Sequence, residues 1–227
     1  MSPGKKKKGK AASDEVAARR AVIDTALAMS ESGLSPNRSG NVSRRWDGGM
    51  LITPTGLAYA DLEPSDIVRV EADGSVKGKQ KKPSSEWRFH LAAYGARPDM
   101  NAVVHTHSLH AAVLACAGRS IPAFHYMVAV AGGKDIPLVP YSAFGTEELA
   151  SYVAEGLAHR RACLMAHHGA VAMGETLASA LELAHEVEVL AEQYYKVLTL
   201  GNAAILSDAE MDDVLERFKS YGQKAQK

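Results

Sequence analysis

Two histidines separated by one residue, in Val103-Val104-His105-Thr106-His107, are the first candidates for chemistry in this 227-residue chain. The apolar residues before them predict a β-strand, in which alternate side chains point to the same face. Both imidazoles would then converge and supply half of a metal site. Zinc suits such nitrogen ligands, and a catalytic zinc takes three protein ligands and keeps a fourth position open. By itself the pair is more typical of two structural histidines.

A third imidazole and a carboxylate could complete a metal site. His167-His168-Gly169 follows an apolar strand. In an extended segment the two histidines face opposite ways, so only one of them could join the pair, and the residues alone do not choose between them. Glu86 could be a fourth ligand or a general base, although a glutamate at a helix start is more often a partner of the helix dipole.

Three short polar segments, Gly40-Asn41, Thr55-Gly56 and Ser84-Ser85, form a second group of candidates. Glycines let a ligand approach the backbone, and free N–H groups at a helix start can hold a phosphate without lysine. Each segment alone is typical of an ordinary turn or cap. Together they suggest a phosphate site.

The elements that must position these residues follow from periodicity and turn signals. Helices are predicted from Ser13 to residue 31, from Ser84 or Ser85 past Tyr94, over 110–116, 146–159 and 176–200, and from Ser207 to 222. Strands are predicted as a hairpin over 39–53 and at 67–70, 103–107, 136–139 and 162–165. Hairpins together with strands between helices predict one domain with a mixed α/β sheet covered by helices.

Composition narrows the class of protein. The 26 basic and 26 acidic residues balance, but five lysines lie in the first ten residues, so we expect residues 1–12 to form a disordered tail before a single domain at 13–227. No basic pattern continues beyond the tail, which disfavours nucleic acid as a partner. No stretch predicts a membrane span or a secretory signal, so a soluble, cytoplasmic protein is expected. Cys116 and Cys163 indicate buried thiols.

Five motifs carry a resemblance to the class II, zinc-dependent sugar-phosphate aldolases. It extends from about residue 19 to Gly222, and the motifs occur in the family's order. They are Ser39-Gly40-Asn41-Val42-Ser43, Ile52-Thr53-Pro54-Thr55-Gly56, Pro83-Ser84-Ser85-Glu86-Trp87-Arg88-Phe89-His90, Val103-Val104-His105-Thr106-His107 and His167-His168-Gly169.

The resemblance implies a role for each matching residue. His105, His107 and His168 would be the zinc ligands, with Glu86 as the fourth ligand and then the acid/base. Tyr126 would reach the neighbouring subunit's active site and donate a proton to the aldehyde oxygen. The phosphate-binding positions would be Gly40, Asn41, Thr55, Gly56, Ser84 and Ser85. The aldehyde end would be lined by Phe144, Phe218 and Tyr221.

The resemblance also implies the fold, the assembly and the reaction. The fold would be a three-layer α/β/α domain with a mainly antiparallel mixed sheet, assembled as a homotetramer with active sites between subunits and one zinc ion in each. The reaction would be reversible aldol cleavage of a ketose 1-phosphate, such as L-fuculose 1-phosphate or a similar deoxyketose 1-phosphate. The products would be dihydroxyacetone phosphate and a small aldehyde such as lactaldehyde or acetaldehyde.

Other functions occur on related folds. Pentulose-phosphate 4-epimerases, thiosugar-phosphate dehydratases and the non-enzymatic head domain of adducin are the alternatives. The sequence Glu86-Trp87-Arg88-Phe89-His90 disfavours an epimerase, whose pattern there is Asp-Thr-Pro-Thr-His. The chain also departs from the aldolase pattern at Asn37-Arg38-Ser39, where Arg38 puts a long cation near the expected phosphate loop.

Overall fold

A seven-stranded sheet forms the centre of the computed structural model, which describes residues 3–220, with side chains from Ser13 onward except that of Asn37. The strands are β1 (Asn41–Trp46), β2 (Gly49–Ile52), β3 (Val68–Val70), β4 (Ala102–Thr106), β5 (Leu138–Val139), β6 (Ala162–Met165) and β7 (Gly169–Gly174). Their order across the sheet is β3-β2-β1-β4-β7-β6-β5. The β5–β6 pair is parallel, and the other neighbouring pairs are antiparallel. The predicted mainly antiparallel mixed sheet is confirmed.

Helices cover both faces of this sheet. They are α1 (Pro3–Glu31), α2 (Trp87–Ala96), α3 (Leu109–Cys116), α4 (Glu147–Leu157), α5 (Leu177–Thr199) and α6 (Asp208–Phe218). One apolar core packs α1, α3, α5 and α6 on one face, and a second core packs α2 and α4 on the other. Val104 of β4 belongs to the first core and its neighbour Val103 to the second, as strand alternation requires. The predicted three-layer α/β/α domain is thereby confirmed.

The β1–β2 hairpin turns at Asp47-Gly48, where both residues have positive φ, 44° and 82°. Two such residues make the tight turn whose twist matches that of antiparallel strands, and Asp-Gly is a preferred pair for it. The hairpin brings Asn41, at the start of β1, opposite His105 in β4. The predicted hairpin is therefore present and positions the motifs.

Strand β7, with the sequence Gly-Ala-Val-Ala-Met-Gly, was not expected from the sequence. Glycine and alanine have low β-propensity, and no polar residue interrupts the segment to give an alternating pattern. All six residues are nevertheless buried between β4 and β6. At Gly174 an added Cβ would overlap the backbone of Ala180 in α5, so this strand is kept small by close helix packing.

Two helix starts differ from the expected ones. Helix α1 begins at Pro3 and not at a Ser13 cap, so it runs back through the segment expected to be disordered, where lysine and alanine favour helix. The division of the chain at residue 12 stays a prediction. Helix α2 begins at Trp87 with Glu86 at its N-cap position, so the predicted Ser84 or Ser85 cap is wrong. No helix within residues 3–220 is long and apolar enough to cross a membrane.

Candidate metal centre

The two histidines of β4 converge as strand alternation predicts. The Nε2 atoms of His105 and His107 lie 2.9 Å apart, at the end of a strand buried in the middle of the sheet. Nδ1 of His105 lies 2.9 Å from the carbonyl oxygen of Ala170. Because a carbonyl only accepts, this nitrogen carries the proton and Nε2 of His105 keeps a lone pair for a cation.

His168 joins this pair from the turn between β6 and β7. Its ring centre is 4.9 Å from that of His105 and 4.8 Å from that of His107. The approach is close because Gly169 has no Cβ, which would overlap the carbonyl oxygen of Thr106. His167 has a left-handed backbone with φ of 56°, is exposed, and directs its ring toward Tyr141 instead. The structure thus places His168, and not His167, next to His105 and His107.

Glu86 completes the cluster from the start of helix α2. Its Oε2 is 3.3 Å from Nε2 of His105, and its Oε1 is 3.1 Å from Nε2 of His168. One ligand atom from each of Glu86, His105, His107 and His168 falls within 4.8 Å of the others. The side chain makes no capping hydrogen bond to α2 and is directed to the three imidazoles instead, although its position at the helix start also suits the helix dipole.

The chemistry of these four groups fits a divalent metal. Three imidazoles and one carboxylate are a donor set that zinc accepts. Glu86 is 6% exposed, and its buried Oε1 accepts no hydrogen bond of suitable geometry from the described residues, despite the nearby His168. A buried oxygen without a donor is costly unless a cation or water satisfies it.

Protonation favours the same arrangement. Burial opposes ionisation of Glu86, but the imidazoles of His105 and His168 outweigh burial and lower its pKa below the ordinary value. Burial, and then the neighbouring imidazoles of His105 and His168, lower the pKa of His107 to about 3. A charged carboxylate and a neutral imidazole are the forms that ligate metal.

The segments predicted to bind phosphate approach each other beside this cluster. The amide of Ser84 donates to the carbonyl oxygen of Thr53 at 3.0 Å, and that of Thr55 donates to Lys82 at 3.2 Å. These bonds tie the Thr55-Gly56 turn to the segment before Glu86. Thr55 and Gly56 are exposed, and Gly56 has φ of 76° with open space where a Cβ would be.

The four other predicted phosphate residues have different surroundings. The hydroxyl of Ser84 is buried and accepts the amide proton of Glu86 at 3.3 Å, whereas Ser85 is exposed. Gly40 is buried, and a Cβ there would lie 2.5 Å from the carbonyl oxygen of His105. Asn41 is buried as well, and its Nδ2 donates to Oε2 of Glu86 at 2.8 Å.

A cavity of about 360 Å³ opens over the cluster. Its lining residues are Ser39, Ser85, Glu86, His107, Tyr141, Ser142, Phe144, His167 and His168. Phe144 therefore lies at the open end, where the aldehyde part was predicted. Tyr126 and Phe218 do not line it: they lie on a 3-10 segment (Tyr126–Ala131) and on α6, which contact each other. Tyr221 lies outside the described residues.

Four buried residues behind Glu86 form a hydrogen-bonded group that was only partly predicted from the sequence. Asn41 contacts His90, His90 contacts Ser43, and Ser43 contacts Tyr94. Only Asn41 was predicted as a site residue, and for phosphate. The available signal for His90 was its spacing of four residues from Glu86, which puts both on one side of a helix.

Comparison with known proteins agrees with this architecture. The family described as Class II Aldolase and Adducin N-terminal domain matches residues 20–195. The chain belongs to this family. The predicted resemblance is confirmed, and the chain is a class II aldolase, a lyase of the metal-dependent type.

Individual relatives of this class II aldolase are similar over nearly their whole length. A 5-methylthioribulose-1-phosphate/5-deoxyribulose-1-phosphate aldolase of Rhodospirillum rubrum is 51% identical over 211 residues, covering 93% of this chain and 95% of the relative. An L-fuculose phosphate aldolase of Escherichia coli K12 is 52% identical over 204 residues, covering 89% and 94%. A solved L-fuculose 1-phosphate aldolase superposes with a TM-score of 0.85 at 38% identity, covering 89% and 96%.

Proposed function

We propose that this class II aldolase catalyses the reversible, zinc-dependent cleavage of a ketose 1-phosphate to dihydroxyacetone phosphate and a small aldehyde. The convergence of His105, His107, His168 and Glu86 below an open cavity is the observation that carries the proposal. The four residues would hold one zinc ion per subunit. When bound, zinc supplies a Lewis acid that stabilises the negative charge left on C3 of the substrate.

Glu86 has the position of the acid/base. Its carboxylate is buried, is directed into the cavity and is held by the amide of Asn41. In the synthetic direction it removes the C3 proton of dihydroxyacetone phosphate, and in cleavage it returns that proton. Since the pKa of Glu86 is lowered, the carboxylate is ionised near neutral pH, which is the form that a general base requires.

Tyr126 is the proposed proton donor to the aldehyde oxygen in a neighbouring subunit. It is 51% exposed and does not line the cavity of its own chain, so it can act only in another site. Phe218 lies on the element that contacts the Tyr126 segment, and with Tyr221 it would reach the same neighbouring aldehyde end. We also propose a homotetramer with shared active sites, located in the cytoplasm; the exposure of Tyr126 supports the sharing of sites.

The phosphate would lie between the Thr55-Gly56 turn and Ser85. Both are exposed, Ser85 lines the cavity with Glu86, and the open space at Gly56 lets a ligand approach the backbone. Gly40, Asn41 and Ser84 would shape the same pocket from its buried side. Deoxyketose 1-phosphates fit because Phe144 gives the open end an apolar wall suited to a methyl or methylthio group.

A turnover panel with added zinc tests the proposal. L-fuculose 1-phosphate, 5-deoxyribulose 1-phosphate and 5-methylthioribulose 1-phosphate are each incubated with the protein, and dihydroxyacetone phosphate is measured directly. We expect its formation from at least one of them, its loss after chelation and its return with zinc. A new stereoisomer would instead indicate an epimerase, and an unsaturated product a dehydratase. Absence of any turnover with one zinc bound per chain would leave a binding module.

A further inference from the structure

A buried chain of hydrogen bonds runs from Glu86 to Tyr94 and crosses the sheet–helix interface. Nδ2 of Asn41 lies 2.8 Å from Oε2 of Glu86, and Oδ1 of Asn41 lies 2.5 Å from Nε2 of His90. Nδ1 of His90 lies 2.7 Å from Oγ of Ser43, which lies 2.8 Å from the hydroxyl of Tyr94. All five side chains are at most 6% exposed, so water does not compete for these bonds.

The carboxylate fixes the direction of every bond in the chain. An ionised Glu86 only accepts, so Asn41 must present its NH₂ group to it and its carbonyl oxygen to His90. His90 must then donate from Nε2 and accept at Nδ1 when it is neutral. Ser43 must donate to that Nδ1.

The bond between Ser43 and Tyr94 completes the chain of hydrogen bonds. Having used its proton on His90, Ser43 can only accept from Tyr94, whose hydroxyl is the first donor. Each donor therefore points toward Glu86, and a reversal anywhere would leave two lone pairs facing each other. A reversed Asn41 would place its carbonyl oxygen against the carboxylate.

We propose that His90 is a positioning residue for the acid/base: as the Nε2–H tautomer it locks the amide of Asn41, which in turn holds Oε2 of Glu86 between the metal centre and the substrate cavity. The proposal rests on the proposed function, because that function makes Glu86 the acid/base. The geometry of the hydrogen bonds is independent of it. His90 is suited to this role because it joins β1 to α2 without itself lining the cavity.

Alternative uses of His90 fit the structure less well. Its ring is fully buried, so it cannot exchange protons with solvent. Both ring nitrogens are occupied by Asn41 and Ser43, so it has no free atom for a metal. An apolar side chain of the same size would fill the space but could not hydrogen-bond to Asn41. An experiment can therefore separate the packing role of His90 from its hydrogen-bonding role.

The experiment compares the variants His90→Phe and His90→Gln with the parent, each loaded with zinc or with Co(II). His90→Phe keeps the volume but loses the donor, whereas His90→Gln keeps an N–H that can reach Asn41. We expect His90→Phe to lower kcat by about 10- to 100-fold with a smaller change in KM, while one metal ion per chain is retained. We expect His90→Gln to recover most of the activity.

The visible absorption of bound Co(II) gives a readout besides activity, because it responds to the position of the Glu86 carboxylate. It should differ from the parent in His90→Phe and approach the parent in His90→Gln. Unchanged kcat and unchanged Co(II) absorption in His90→Phe would overturn the proposal. A parent that binds Co(II) but cleaves no ketose phosphate would overturn only the proposed function, since the Co(II) comparison still decides the role of His90.

A third variant, Ser43→Ala, tests the proposal if His90→Phe does not fold. Ser43→Ala leaves His90 in place but removes the hydroxyl that donates to its Nδ1. It should lower kcat and alter the Co(II) absorption in the same direction, by less than His90→Phe would. Ser43→Ala with parental kcat and absorption would count against the directed chain.

Discussion

His105 and His107 hold their Nε2 atoms 2.9 Å apart. His105 donates a hydrogen bond from Nδ1 to the carbonyl oxygen of Ala170, so its Nε2 presents a lone pair, and the lowered pKa of His107 keeps that ring neutral. A neutral His107 can donate from Nε2 to this lone pair, and a bound cation would replace that proton and use both nitrogens. The two Nε2 atoms are therefore close enough together to ligate one metal ion.

The choice of third imidazole can be tested by metal content. We expect His168→Ala to lose most of its zinc, because this removes one of three nitrogen ligands. The matched variant His167→Ala should keep about one zinc ion per chain, since its ring is directed toward Tyr141. Elemental analysis after dialysis measures both. The reverse pattern would assign the ligand to His167.

The role of Glu86 can be separated from metal binding by Glu86→Gln. The amide keeps the shape of the side chain but cannot accept the C3 proton, so we expect kcat to fall by about 10²-fold or more. Zinc content should stay close to that of the parent because three imidazoles remain. Cleavage of the ketose 1-phosphate and zinc content are measured on the same sample. Full turnover in this variant would remove Glu86 as the acid/base.

The part of the site that lies on strand β4 was predictable from the sequence, because side chains alternate between the two faces of a strand. His105 and His107 had to share a face once their segment was a strand. The choice of His168 depended on the left-handed backbone of His167, which the expectation of an extended segment missed. A tight turn reverses side-chain directions in a way that spacing alone does not reveal.

Long-range contacts account for what the sequence did not reveal. Strand β7 is rich in glycine and alanine because β4 and α5 pack closely on it. The sequence of the β7 segment alone does not show which elements pack against it. Asn41 and His90 are 49 residues apart, so their hydrogen bond follows only from the fold. The role of Tyr126 depends on a second subunit and stays a prediction.

Stability should depend on pH through His90. Burial, and then the neighbouring imidazole of His105, lowers the pKa of His90 to about 3, whereas an unfolded histidine titrates near 6.5. Between these values the unfolded chain binds a proton that the folded chain excludes, so stability is lost as the pH falls from about 6.5 toward 3. The loss from this group is at most about 1.4 kcal/mol per pH unit.

Urea unfolding of the zinc-free parent and of zinc-free His90→Gln, measured at several pH values from 7.5 to about 4, checks this expectation. The parent should lose stability more steeply with falling pH than His90→Gln, which has no ionisable group at this position. Parallel curves would show that burial of His90 carries no proton linkage.

The close approach of β7 to β4 should make Gly169 sensitive to a single methyl group. In Gly169→Ala the Cβ overlaps the carbonyl oxygen of Thr106, so we expect a loss of about 1–3 kcal/mol in the free energy of unfolding and weaker zinc binding. Gly95→Ala is the matched control, because Gly95 lies in α2 with nothing near its Cβ position. That variant should gain about 0.5–1 kcal/mol. Equal effects would remove the packing explanation.

A shared active site predicts that two inactive subunits can complement each other. Tyr126→Phe should lower turnover while its own Glu86 and metal ligands remain intact, and Glu86→Gln should be inactive while its Tyr126 remains intact. If Tyr126 acts in a neighbouring subunit, a mixed oligomer contains interfaces that combine an intact Glu86 with an intact Tyr126. In a random equal mixture of a cyclic oligomer, about one site in four would be complete.

Mixing the two variants under conditions that dissociate and reassemble the subunits measures this directly. Turnover should rise from near zero to roughly a quarter of the parent level, in proportion to the complete sites. The matched control mixes Glu86→Gln with His168→Ala, which lose groups from the same cluster. Because each subunit provides the whole cluster of its own site, every site in this mixture lacks either Glu86 or His168, so no recovery is expected. Recovery confined to the Tyr126→Phe mixture locates Tyr126 across the interface from Glu86, whereas no recovery in either mixture would place both residues in one subunit's site.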